Sequence, residues 1–124
     1  MRVAGRVLLI DDDPNYLAAV GALLRDEGYM VDGAASTGGA LDLLWRDWDQ
    51  QPDVIQLDLH LPLLDGRSFA ELYRLLPVQH APVILVTGAA DADPQALGAT
   101  DVLHKPFTLD ELLARLHHAT HAAP

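Results

Sequence analysis

The chain contains no cysteine, which excludes disulfides, thiolate zinc sites and a cysteine nucleophile. Aromatic residues make up only 6% of it, so a core has to be built mostly from Leu, Val, Ala and Ile. Bases are scarce as well: 8 Lys and Arg stand against 18 Asp and Glu, a formal charge of −10. Such a surface repels phosphate backbones, and no basic stripe offsets it, so direct contact with nucleic acid is disfavoured. No apolar run approaches the length of a membrane span. The run behind the basic amino terminus, Val7 to Ile10, meets aspartate too soon to be the core of a signal peptide. A length of 124 residues suffices to bury a core without staples. The expectation is a soluble, cytoplasmic, single domain spanning 1–124 with no second domain attached.

What the chain does have is a set of apolar runs that each end in a chemically useful group. Val7, Leu8, Leu9 and Ile10 lead into Asp11, Asp12 and Asp13. Val54, Ile55, Gln56 and Leu57 lead into Asp58. Val83, Ile84, Leu85 and Val86 lead into Thr87, and Val102, Leu103 and His104 into Lys105. A weaker strand is expected over 30–34. Between the runs lie helical patterns. Asp13 and Pro14 form a cap and first position for a helix whose apolar face is Leu17, Val20, Leu23 and Leu24, stopped by Gly28. A second helix near 39–48 is expected to bury Leu41, Leu44, Trp45 and Trp48, and a third runs over 67–76. A short fourth falls within 89–100, weakened by Pro94 and Gly98. In the last, Thr108 and Glu111 make a capping-box pattern ahead of Leu109, Leu112, Leu113 and Leu116. Alternating strands and helices predict a doubly wound α/β fold with a parallel sheet covered on both faces. Ligands of such sheets sit beyond the carboxyl ends of the strands, where all the candidate groups fall.

Each of these groups has an ordinary reading when taken alone. Adjacent aspartates cap helices, a strand-end aspartate forms turns, threonine ends strands by propensity, and a lone lysine is solvated. The joint arrangement alters this, because each group terminates a different strand of one sheet. Carboxylates beside one lysine and one threonine suit a hard divalent cation and a phosphoryl group. His117 and His121 have the i, i+4 spacing of a metal pair, but a terminal helix without an acidic third ligand reads as a solvated face.

In order and in step with the strand pattern, the segments Val7 to Pro14, Pro52 to Pro62, Asp65-Gly66, Val86 to Gly88 and His104 to Phe107 resemble the receiver domain of two-component response regulators nearly end to end. The resemblance implies a flavodoxin-like five-stranded sheet in the order 2-1-3-4-5. It implies that Asp58 accepts a phosphoryl group from a histidine kinase or phosphotransfer protein. Asp11 and Asp12, with Asp58 and the backbone carbonyl of His60, would bind Mg²⁺. Thr87 and Lys105 would contact the phosphoryl oxygens, Lys105-Pro106 would be a cis bond, and a downstream protein partner would read the change. Beyond its own phosphorylation and dephosphorylation, no enzymatic activity is implied.

Two departures touch the usual output surface. Thr87 and Lys105 stand 105 − 87 = 18 positions apart, about one helical turn fewer than in most receivers, which shortens the fourth helix. Val102 replaces the tyrosine or phenylalanine that commonly moves with the threonine. Two alternatives stay open on the residues. In a haloacid-dehalogenase-like phosphatase, Asp11 and Asp13 would be nucleophile and acid; steady phosphate release from p-nitrophenyl phosphate would mark it. A pseudo-receiver would bind partners without phosphorylation and would fail to take Mg²⁺ or beryllofluoride. The sequence leaves the oligomeric state open.

Overall fold

The computed structural model describes residues 4–59, 66–88 and 98–121. Five strands, β1 (Gly5–Ile10), β2 (Tyr29–Ala34), β3 (Val54–Asp58), β4 (Val83–Thr87) and β5 (Asp101–His104), form one parallel sheet in the order β2-β1-β3-β4-β5. The helices are α1 (Pro14–Asp26), α2 (Thr37–Arg46), α3 (Gly66–Leu75) and α4 (Leu109–Thr120). The doubly wound topology inferred from the sequence is the one observed. The short helix expected within 89–100 falls largely on 89–97, outside the described residues, as does the loop 60–65. No helix among the described residues is long and apolar enough to cross a membrane.

The caps follow the local sequence. Asp13 accepts the Asn15 N–H at 2.9 Å, with Pro14 as the first helical residue of α1. That helix closes at Gly28, whose φ of +97° lies in the left-handed region that favours glycine. Ser36 caps α2 by accepting the Gly39 N–H at 3.0 Å. Thr108 caps α4 by accepting the Glu111 N–H at 3.1 Å. Losing a cap of this kind costs about 1 kcal/mol.

Strand alternation sorts the core into two layers. Leu8, Ile10, Ile55, Leu57, Val83 and Leu85 face Ala40 and Leu44 of α2 and Phe69 and Tyr73 of α3. Val7, Leu9, Val54, Ile84, Val86 and Leu103 face Leu24 of α1 and Leu112 and Leu116 of α4. In β3 and β4 every residue is buried, as a parallel strand covered on both faces requires. By the period of two, Gln56 and Asp58 share the face of Val54 that looks toward α1 and α4.

Three core expectations are corrected. Leu23 is 44% exposed, Trp45 59% and Trp48 68%. In α1 the buried pair is Gly21 and Leu24; Leu23 sits about 100° around the helix from Leu24. The second helix starts at Thr37 and buries Thr37, Ala40 and Leu44. This earlier start puts Trp45 on the flank of the stripe and leaves Trp48 beyond the helix end.

Candidate functional site

Strand register decides where the candidate groups meet. Ile10 pairs with Leu57, Asp58 with Val86, and Thr87 with His104. The residues at or just past these positions, Asp11, Asp58, Thr87 and Lys105, therefore emerge together at the carboxyl edge. The link between the last two is direct: the Lys105 N–H donates to the Thr87 carbonyl at 2.9 Å.

Asp11, Asp12 and Asp58 place carboxylate oxygens within 4.8 Å of one another. Asp11 and Asp58 are buried, whereas Asp12 is exposed. Among the described residues this is the one acidic or histidine cluster close enough to share an ion. Burial raises the Asp11 pKa above the usual carboxylate value, and the nearby Asp58 charge adds to the rise. The Asp13 N–H, which donates to Asp11 Oδ1 at 2.9 Å, opposes it. A cluster of charged oxygens that pay for their proximity suits a hard cation, and an oxygen-only donor set suits Mg²⁺.

The Lys105 ammonium stands 3.9 Å from Asp58 Oδ1. Thr87 is fully buried beneath the edge. The Lys105-Pro106 peptide is cis. Asp13, by contrast, is exposed and spends its carboxylate on the helix cap, so it does not join Asp11 as a nucleophile and acid pair. His60 lies outside the described residues. The rings of His117 and His121 stack 4.1 Å apart on α4, and no third ligand joins them among the described residues.

Sequence reasoning missed two members of this environment. Tyr16, in the first turn of α1, receives a hydrogen bond from the Gln56 side-chain amide. Burial pushes its hydroxyl pKa up to about 12; the Gln56 hydrogen bond lowers it, and the Asp11 and Asp58 charges add to the rise. The Lys105 Nζ lies 5.9 Å from the centre of the Tyr16 ring. The available signal was Gln56 itself, a polar residue inside an apolar run and two positions before Asp58.

Known proteins share the architecture that carries this site. The family model of the response regulator receiver domain matches residues 7–117. The transcriptional regulatory protein KdpE of Mycobacterium tuberculosis is 41% identical over 117 residues, covering 91% of this chain and 50% of its own length. Chemotaxis protein CheY4 of Vibrio cholerae superposes with a TM-score of 0.83 at 29% identity, covering 92% of this chain and 97% of that one. The receiver domain of sensor histidine kinase PA1611 from Pseudomonas aeruginosa, described with a magnesium ion coordinated in its active site cleft, has a TM-score of 0.83 at 29% identity. That match covers 95% of this chain and 98% of the other.

The chain belongs to the receiver domains of two-component response regulators. It spans about half the length of the curated relatives it matches.

Proposed function

We propose that Asp58 accepts a phosphoryl group from the phosphohistidine of a histidine kinase or phosphotransfer protein, and that a downstream protein partner reads the change. A carboxylate oxygen of Asp58 forms the new P–O bond as the donor N–P bond breaks and the imidazole departs. Phosphoryl transfer asks a protein mainly for positioning and charge neutralisation. Lys105 supplies a positive charge for one phosphoryl oxygen, and the Thr87 hydroxyl supplies a hydrogen bond to another. Asp11, Asp12 and Asp58, with the carbonyl of His60, would hold Mg²⁺, which would supply positive charge to offset that of the incoming phosphoryl group.

The observation that carries the reading is the buried Asp58 carboxylate with Lys105 at 3.9 Å and two further aspartates within 4.8 Å. A solvated turn residue needs no such company. The strongly acidic surface favours a protein reader over direct nucleic-acid contact by this domain. Acetyl phosphate with Mg²⁺, followed by mass spectrometry, tests the assignment. The wild type gains one phosphoryl mass, and Asp58→Asn, which keeps the shape without the nucleophile, gains none. Equal labelling of the two proteins would place the acceptor elsewhere.

A further inference from the structure

We propose that Tyr16 is a positioning residue of this site: its ring confines the Lys105 ammonium above Asp58, and Gln56 anchors its hydroxyl from within the sheet. The inference rests on the phosphoacceptor reading above and adds to it the device that keeps the lysine in place.

Lys105 is the only lysine in the chain, and its side chain is 42% exposed. A long, half-exposed stem has many rotamers, and its contact with Asp58 at 3.9 Å is too loose to select one. The Tyr16 ring gives a second constraint. Its centre is 5.9 Å from Lys105 Nζ, at the outer limit of a cation–π contact. Carboxylate and ring together restrict the ammonium to the mouth of the site.

The ring must itself be held, and Gln56 does this at a cost. It is buried, on the same face of β3 as Asp58, and its amide donates to the Tyr16 hydroxyl. Its own carbonyl oxygen is buried without a partner among the described residues. A leucine would fill comparable space with no unpaired oxygen, and the flanking residues of β3 are apolar. A glutamine that is a poor choice for packing is a good one for fixing a tyrosine. The hydroxyl stays protonated at neutral pH, so the ring adds no negative charge beside the three carboxylates.

Two measurements on wild type, Tyr16→Phe and Tyr16→Leu test this. The first is the NMR shift of Lys105 in apo protein labelled at lysine, which gives a single side-chain signal and needs no phosphoryl mimic. Tyr16→Leu removes the ring current and displaces the signal fully. Tyr16→Phe keeps the ring but loses its Gln56 anchor, so its signal falls between those of wild type and Tyr16→Leu; a Tyr16→Phe signal identical to wild type would remove Gln56 from the proposal. The second is calorimetric titration with Mg²⁺ alone and then with beryllofluoride in saturating Mg²⁺. Tyr16→Leu weakens beryllofluoride by about two- to fivefold, the range of an exposed cation–π contact, leaves Mg²⁺ affinity unchanged, and has no effect in a Lys105→Met background. Three results would overturn the proposal: an unmoved lysine signal in Tyr16→Leu, equal losses of Mg²⁺ and beryllofluoride, or the same loss without the lysine. Failure of the wild type to take beryllofluoride would count against the phosphoacceptor reading instead, and the lysine signal would still decide the role of Tyr16.

Discussion

Replacing Asp11 with asparagine should stabilise the metal-free protein at neutral pH. The side chain is buried, and its Oδ1 accepts the Asp13 N–H at 2.9 Å; asparagine keeps that oxygen and sheds the charge. Carboxylate oxygens of Asp11, Asp12 and Asp58 lie within 4.8 Å of one another. Two unit charges at that distance repel by about 3.5 kcal/mol at an effective dielectric of ~20, and by about 0.9 kcal/mol in water. Lys105 offsets part of the Asp58 charge, and Asp12 is solvated, so a net gain of about 1–2 kcal/mol is the reasonable expectation. The pH dependence has a defined sign. Asp11 has a folded pKa above its unfolded value of 3.8, so the folded state binds the proton more tightly. Its favourable contribution is complete below that value and is lost as pH rises through the folded pKa. The advantage of Asp11→Asn is therefore full at neutral pH and fades on acidification. Urea unfolding with chelator and with a fixed high Mg²⁺ concentration provides the assay. A ligand of the native state adds stability that grows with the logarithm of its concentration over its Kd, so the tighter site gains more. Mg²⁺ should stabilise the wild type more than the variant. A variant less stable than wild type in chelator, or one that gains as much from Mg²⁺, would refute the reasoning.

Asp12→Ala, at an exposed position, should lose Mg²⁺-dependent labelling by acetyl phosphate while melting no lower than wild type; normal labelling would remove Asp12 from the metal set. Trp45 and Trp48, exposed near the carboxyl end of α2, lie away from the strand ends that carry Asp58, so beryllofluoride should barely change tryptophan emission. A large quench would contradict this placement. Burial raises the pKa of Tyr16, Tyr29 and Tyr73 above 10.0. Unfolded tyrosines release their protons first, so stability should fall as pH rises past 10.0, and phenolate absorbance should appear together with unfolding. Arg115 on α4 is already held by Asp101 at 2.6 Å and the Val102 carbonyl at 3.0 Å. Beryllofluoride should therefore drive no tight dimer through this face, and sedimentation showing one that Arg115→Glu breaks would overturn that view.

The strands and two of the helix caps were legible because each is a local signal: an apolar run, or Asp13 or Thr108 ahead of a helical stretch. The acidic cluster was legible because strand ends of a parallel sheet share one edge. Trp45 and Trp48 misled because size and apolarity were taken for burial, whereas the Ser36 cap had already set the phase of α2. Gln56 was read as a member of its apolar run, and Tyr16 fell outside the Leu17 and Val20 stripe. Their pairing spans 40 positions in sequence, and no periodicity within either element announces it.

The level pairing of β3 with its neighbours makes function a witness to correct folding. Sliding β3 by one residue against β1 and β4 would turn each of its side chains to the opposite face. Asp58 and Gln56 would then point toward the layer of Phe69 and Tyr73, and Leu57 would stand where Asp58 meets Lys105. No such molecule could assemble three carboxylates around one ion. If the cluster takes Mg²⁺ as proposed, uptake would count only correctly paired chains, and in a refolding experiment the fraction that binds Mg²⁺ would measure the fraction in register, where compactness or helix content alone would not.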